Sequence, residues 1–154
     1  MYLAHTRPDL AYVLSVVTQF MHSPSEEHIN VATRILRYLK SSPGNGILFK
    51  KGGNLNIEGY TNVDWAGSIE DRRSTSGYFT LVGGNLVTWR SKKQEVVATS
   101  STKAEYREMA KAICELLWTK NLIQELHIEH TSPMKLYCDS KAACDIAPNP
   151  VQLD

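Results

Sequence analysis

The chain has 154 residues, 42% of them hydrophobic and 21% charged, with a formal net charge of +1. That suits one ordinary domain, or one domain with an appendage, and excludes a disordered polyelectrolyte. It also excludes a global field that gathers nucleic acid, so any such binding must come from a local patch. Three cysteines, Cys114, Cys138 and Cys144, lack C-x-x-C spacing. They fit buried thiols in a reducing compartment better than disulfides or a zinc site. No apolar run approaches the roughly 20 residues that span a bilayer. The start, Met1-Tyr2-Leu3-Ala4-His5-Thr6-Arg7-Pro8, lacks a charged region followed by an apolar core and is not a secretory signal. The expectation is a soluble protein of cytosol or nucleus with no membrane partner.

The first element is helical: Leu10, Val13, Leu14, Val17 and Phe20 recur at three-to-four spacing, and Pro8 suits the first turn. Ser23-Pro24-Ser25-Glu26 predicts a capping box with proline at the first position of a second helix. Val31, Ala32, Ile35, Leu36 and Leu39 form its apolar stripe, and 41–46 is the turn that stops it. Residues 1–45 are therefore a helical hairpin, an appendage that must bury its stripes on something else. From 46 the period changes. Short β-branched or aromatic runs at 46–50, 55–64, 77–82, 85–90 and 95–99 predict strands, with Gly83-Gly84-Asn85 as a tight hairpin. A long helix follows over about 102–125, burying Met109, Ile113, Leu116, Leu117, Ile123 and Leu126. A strand at 134–138 and a short helix at 141–147 complete the order, with Pro148-Asn149-Pro150 ending that helix. Three strands pairing as a meander, then helix, strand and helix, predict an α/β fold for 46–154. A crossover through the long helix brings the last strand parallel to the first. Two strand ends then lie side by side, where open α/β sheets place their sites.

Position 62 and Asp139 would meet there, with Glu105, one turn into the helix, reaching between them. Acids gathered this way hold divalent cations for phosphodiester hydrolysis, and hard oxygen ligands select magnesium or manganese. Structural alternatives stand beside each acid. Thr102-x-x-Glu105 is a capping box, and Asp139 can cap the short helix. Against them, Asp139 ends an apolar strand where an unpaired charge is costly, and the polar run 99–102 suits a rim. His127-Ile128-Glu129-His130 has two histidines three apart but no third ligand in view. Asp71-Arg72-Arg73-Ser74 and Arg90-Ser91-Lys92-Lys93-Gln94 are basic turns flanking Trp65 and Trp89. They are either a phosphate-binding edge or solvated hairpin turns.

The motifs Gly59-Tyr60-Thr61-x-x-Asp64-Trp65-Ala66-Gly67, Asp71-Arg72-Arg73-Ser74-Thr75-Ser76-Gly77-Tyr78, Trp89-x-Ser91-Lys92-Lys93-Gln94, Ser100-Ser101-Thr102-x-Ala104-Glu105-Tyr106 and Tyr137-Cys138-Asp139 carry a family resemblance. The C-terminal two-thirds resembles the ribonuclease H domain of copia-type retrotransposon Pol polyproteins. Thr6-Arg7-Pro8-Asp9, Gln19-Phe20-Met21-His22 and Arg37-Tyr38-Leu39-Lys40 resemble the segment joining reverse transcriptase to it. The resemblance implies a ribonuclease H-like mixed sheet and cleavage of the RNA strand of an RNA–DNA hybrid. It also implies a four-acid site for Mg2+ or Mn2+. Its first acid falls on Asn62, its second and third on Glu105 and Asp139, and its fourth downstream of Asn149-Pro150-Val151. The final strand of that sheet is expected to be missing, leaving an exposed edge that promotes association.

Asn62 keeps aspartate's shape but offers one neutral oxygen, a poor bridge between two cations. Asp64, two residues along the same strand face, is the possible substitute. Three expectations follow. The chain is an inactive relic; or a weakly active nuclease using Glu105, Asp139 and Asp64; or a non-cleaving nucleic-acid-binding module using Arg72, Arg73, Trp89, Lys92 and Lys93.

Overall fold

A computed structural model describes residues 2–52 and 54–148. The chain divides into two compact units, Met1–Leu48 and Phe49–Asp154. The expectations for Asn149, Pro150 and Val151 lie outside the described residues.

In the first unit, 3-10 turns at Tyr2–His5 and Pro8–Leu10 precede helices α1 (Ala11–Gln19) and α2 (Glu26–Ser41). Pro8 opens the second turn, since its fixed φ suits a helical start and it has no N–H to leave unpaired. Arg7 Nη2 donates to Asp9 Oδ2 at 2.8 Å, and the Tyr38 hydroxyl donates to the same oxygen at 2.8 Å. The Arg7 guanidinium also lies 5.3 Å from the centre of the Tyr38 ring. Chiefly through the Arg7 hydrogen bond, the Asp9 carboxyl is held below its usual range. The cap of α2 is Ser25, not Ser23. Ser25 has extended backbone, its Oγ accepts the His28 N–H, and the His28 ring accepts the Ser25 N–H at 3.0 Å. Pro24 therefore lies outside the helix. Of the predicted stripe only Ile35 is buried, and Leu36 is exposed.

The second unit contains β1 (Ile57–Asp64), β2 (Thr75–Val82), β3 (Asn85–Lys93), α3 (Ser101–Glu125), β4 (Lys135–Cys138) and α4 (Lys141–Ile146). The sheet order is β3-β2-β1-β4: an antiparallel meander with β4 parallel to β1 after the crossover through α3. The mixed α/β sheet expected from the sequence is present. Two predicted strands are not. Lys50 is instead tied to the hairpin, its N–H donating to Asn85 Oδ1 at 2.6 Å while Asn85 Nδ2 donates back to its carbonyl at 2.9 Å. Residues 95–99 form bends with Val96 and Val97 exposed, because Gln94 has already turned the chain. The Gln94 N–H bonds Ser74 O at 2.8 Å and its Nε2 bonds Ala104 O at 3.1 Å.

Helix α3 covers one face of the sheet. Ile57, Leu116 and Ile123 are the centre of the core, with Val82, Met134 and Leu136 against them. Burying a side chain of this size contributes about 2 kcal/mol. The buried stripe of α3 runs through Ala104, Glu105, Glu108, Met109, Ala112, Leu116, Thr119 and Ile123. It is narrower than predicted: Ile113, Leu117 and Leu126, expected inside, are exposed. Ile113 and Leu117 each follow a stripe residue by one, about 100° around the helix.

On the opposite face a row of rings crosses the sheet. Tyr60 stacks on Phe79 at 4.7 Å and on Tyr137 at 4.8 Å between ring centres. Phe79 pairs in register with Trp89 on β3.

Candidate functional site

The parallel pairing of β1 with β4 ends at Thr61↔Cys138, so Asn62 and Asp139 are the next residues along each strand. Helix α3 delivers Glu105 to this end of the sheet, where its side chain is buried. Cys138 Sγ donates to Glu105 Oε2 at 3.8 Å. One donor atom from each of Glu105, Cys138 and Asp139 lies within 4.8 Å of the others. Burial, and next the charge of Asp139, push the Glu105 carboxyl above its usual range, while the Val63 N–H and the Cys138 thiol oppose the shift. Burial likewise raises the Cys138 thiol.

Helix capping does not account for these acids. The cap of α3 is Ser100, whose Oγ accepts the Lys103 N–H at 3.2 Å. The cap of α4 is Ser140, whose Oγ accepts the Ala143 N–H at 3.3 Å. Serines do the capping at both helix starts, leaving Glu105 and Asp139 to face each other.

Asn62 is exposed. Asp64 is exposed too, and its carboxylate folds back over the following turn onto Gly67. It does not join the convergent group of Glu105, Cys138 and Asp139. The two histidines at 127 and 130 belong to no such group among the described residues. The expectation of buried thiols fails for Cys114 and Cys144, which are exposed; Cys138 is half-buried. Cys114 lies on α3 off the buried stripe.

The basic turns are partly neutralised from within. Lys93 Nζ reaches Asp71 Oδ2 at 3.2 Å and Ser68 Oγ at 3.0 Å, and Arg73 Nε lies 3.7 Å from the same carboxylate. With the Ser68 hydrogen bond as the main cause, Asp71 is lowered to about 2. Arg72, at φ 56, and Lys92 are exposed. Trp89 is half-buried at the end of the aromatic row, and Trp65 Nε1 donates to Ala98 O at 3.3 Å.

One buried acid escaped the sequence analysis. Glu108, 1% exposed, accepts from Ser76 Oγ at 2.6 Å and Lys111 Nζ at 3.1 Å. It lies three residues after Glu105 and directly before Met109 on the stripe that carries Ala112 and Leu116. That periodicity was the available signal for placing it inside.

The fold and site define an α/β unit with a carboxylate–thiol cluster where two parallel strands end. Comparison with known proteins places it more closely. The chain is 46% identical over 150 residues to the Retrovirus-related Pol polyprotein from transposon RE1 of Arabidopsis thaliana, covering 97% of this chain and 10% of that protein. It is 39% identical over 144 residues to the corresponding polyprotein from transposon TNT 1-94 of Nicotiana tabacum, covering 94% of this chain and 11% of that one. A shorter relative, Secreted RxLR effector protein 161 of Plasmopara viticola, is 46% identical over 113 residues, 73% of this chain and 80% of that protein. The chain corresponds to a fragment of copia-type retrotransposon Pol polyproteins and spans about a tenth of the length of those it matches. No family model matches it, and no solved structure matches it. No described helix is long and apolar enough to cross a membrane.

Proposed function

We propose that this chain is the ribonuclease H region of a copia-type Pol polyprotein, with the connecting hairpin in 1–45, and that it no longer cuts RNA–DNA hybrids. The observation that carries this reading is Asn62 itself. It follows Thr61, where the pairing of β1 with β4 ends, as Asp139 follows Cys138, and the family resemblance calls for an acid at this position. An amide presents one neutral oxygen and cannot bridge two cations. Among the described residues the site therefore does not fit a pair of magnesium or manganese ions: Glu105 and Asp139 converge with the Cys138 thiol, and Asn62 adds no charge. Asp64 does not supply the missing charge, because its carboxylate is turned onto Gly67.

The test is a hybrid-cleavage assay with Mg2+ or Mn2+. Wild-type chain is expected to leave the RNA strand intact. Cleavage by wild type that disappears in Glu105→Ala overturns the reading. Activity gained by Asn62→Asp assigns the loss to this position, and a silent Asn62→Asp assigns it elsewhere.

A second reading, a module that binds nucleic acid without cutting, draws support from the aromatic row Trp89, Phe79, Tyr60 and Tyr137. Phe79 and Tyr137 are more than a third exposed, at 40% and 42%, and such rings stack on unpaired bases. Retention of a hybrid or single strand without cleavage, weakening steeply as salt rises, identifies it.

A further inference from the structure

We infer that the outer face of α3 is a self-association surface, on which two copies of this chain pair antiparallel about a two-fold axis at Leu116. The surface is separate from the carboxylate cluster and from the aromatic row of the sheet, so its test is independent of both functional readings.

The first observation is an apolar face without cover. Ile113, Cys114, Leu117 and Trp118 recur at the three-to-four spacing that gathers side chains on one side of a helix. They stand about half a turn from the stripe that packs on the sheet. Ile113 is 45%, Leu117 47% and Trp118 56% exposed, and Cys114 is exposed beside them. Single exposed apolar residues are ordinary, but a contiguous group of them marks an interaction site. Helix α3 is thus apolar on two opposite sides, and the sheet occupies one.

The second observation names the occupant, because the charges bordering this face complement each other only when it is reversed. Arg107 lies nine residues before Leu116 and Glu125 nine after it. Those eighteen residues are five full turns, so both side chains border the same edge of the face. Both are exposed, and among the described residues neither takes part in an ion pair. A two-fold axis at Leu116 sets Arg107 of each copy opposite Glu125 of the other. Cys114 and Trp118, two residues before and after Leu116, come opposite each other in the same way, and Leu117 lies beside its own counterpart. Parallel pairing would instead put Arg107 against Arg107. A two-fold interface requires a patch that complements itself, and this one does so in the antiparallel sense.

The third observation is size. The helix has 25 residues, a length of about 37 Å, and the apolar group occupies its middle. A single helix face of this extent falls below the roughly 1,200 Å2 of standard interfaces, so the pairing is reversible and concentration-dependent. Trp118 supplies the residue type that most often dominates such contacts.

The test is sedimentation equilibrium of the full chain in reducing, low-salt buffer from micromolar to millimolar concentration. Wild type is expected to pass from monomer to dimer. Leu117→Asp, at an exposed position, should weaken the dimer at least tenfold with an unchanged circular dichroism spectrum. Arg107→Glu and Glu125→Arg should each weaken it about two- to tenfold, in the range of exposed ion pairs, and the two together should restore it. Within one chain these side chains are about 27 Å apart along the helix, so recovery can arise only between copies. A chain monomeric throughout overturns the inference. So does a dimer indifferent to Leu117→Asp, which assigns association to another surface, or a combined charge reversal that fails to recover.

Discussion

Glu105 and Glu108 sit three residues apart on α3 and meet opposite fates. Ser76 and Lys111 satisfy Glu108 inside the protein. Glu105 is left with a weak thiol donor and the Val63 N–H, and its carboxyl is raised mainly by burial and then by Asp139. A carboxyl whose folded-state pKa exceeds its unfolded value favours folding most when protonated. Its contribution is fully present below the ordinary carboxylate range and is lost as pH rises through the raised value. In chelator-treated buffer, Glu105→Gln should therefore leave the melting temperature unchanged at acid pH and raise it by a few degrees near neutrality. A lower melting temperature at neutral pH would mean that the charge is compensated after all. Glu105 was legible as a candidate from its motif, but its capping alternative could not be dismissed from sequence alone. Only backbone geometry shows that the helix starts at Ser100, whose Oγ caps the Lys103 N–H, so that Thr102 and Glu105 lie inside it and form no capping box. For Glu108 the stripe periodicity was the one signal, and it competes with the rule that an acid within a helix usually faces water; its partner Ser76 is 32 residues away.

At the scale of elements, two glycines show what the sheet demands of its strands. A Cβ at Gly59 would meet Leu116 and Leu136 side-chain ends at 3.1 Å, whereas one at Gly77 would meet the Arg90 carbonyl oxygen at 2.9 Å. Side-chain ends can move, and a paired backbone cannot. Gly77→Ala should accordingly cost about 1–3 kcal/mol in urea unfolding, in the range of overpacking, and Gly59→Ala less. Equal losses would count against the close approach of β2 and β3. The meander and its crossover were legible because alternation and turn residues agree across 57–93. The false strands at 46–50 and 95–99 have equally β-prone residues. What those residues lack is a neighbouring edge, since Asn85 and Gln94 fasten the chain on either side. Partner availability is a tertiary property, and local composition does not encode it.

For the whole second unit, β1 to β3 are contiguous in sequence, while β4 joins by pairing across more than 70 residues. It is four residues long and has β1 as its one strand neighbour among the described residues. Short edge strands with few ladder bonds open at lower free energy than the sheet they border. Hydrogen exchange should therefore release the amides of β4 well before those of β1 and β2. Simultaneous exchange of all four strands would show a single cooperative unit instead. The placement of Cys138 and Asp139 gives that difference a further meaning. Both lie at the end of that short edge strand, and Glu105 lies on α3. The cluster is thus a latch rather than a fixed cage: it exists only while β4 is seated. Opening of β4 carries Cys138 and Asp139 away from Glu105, and the cluster disperses with it.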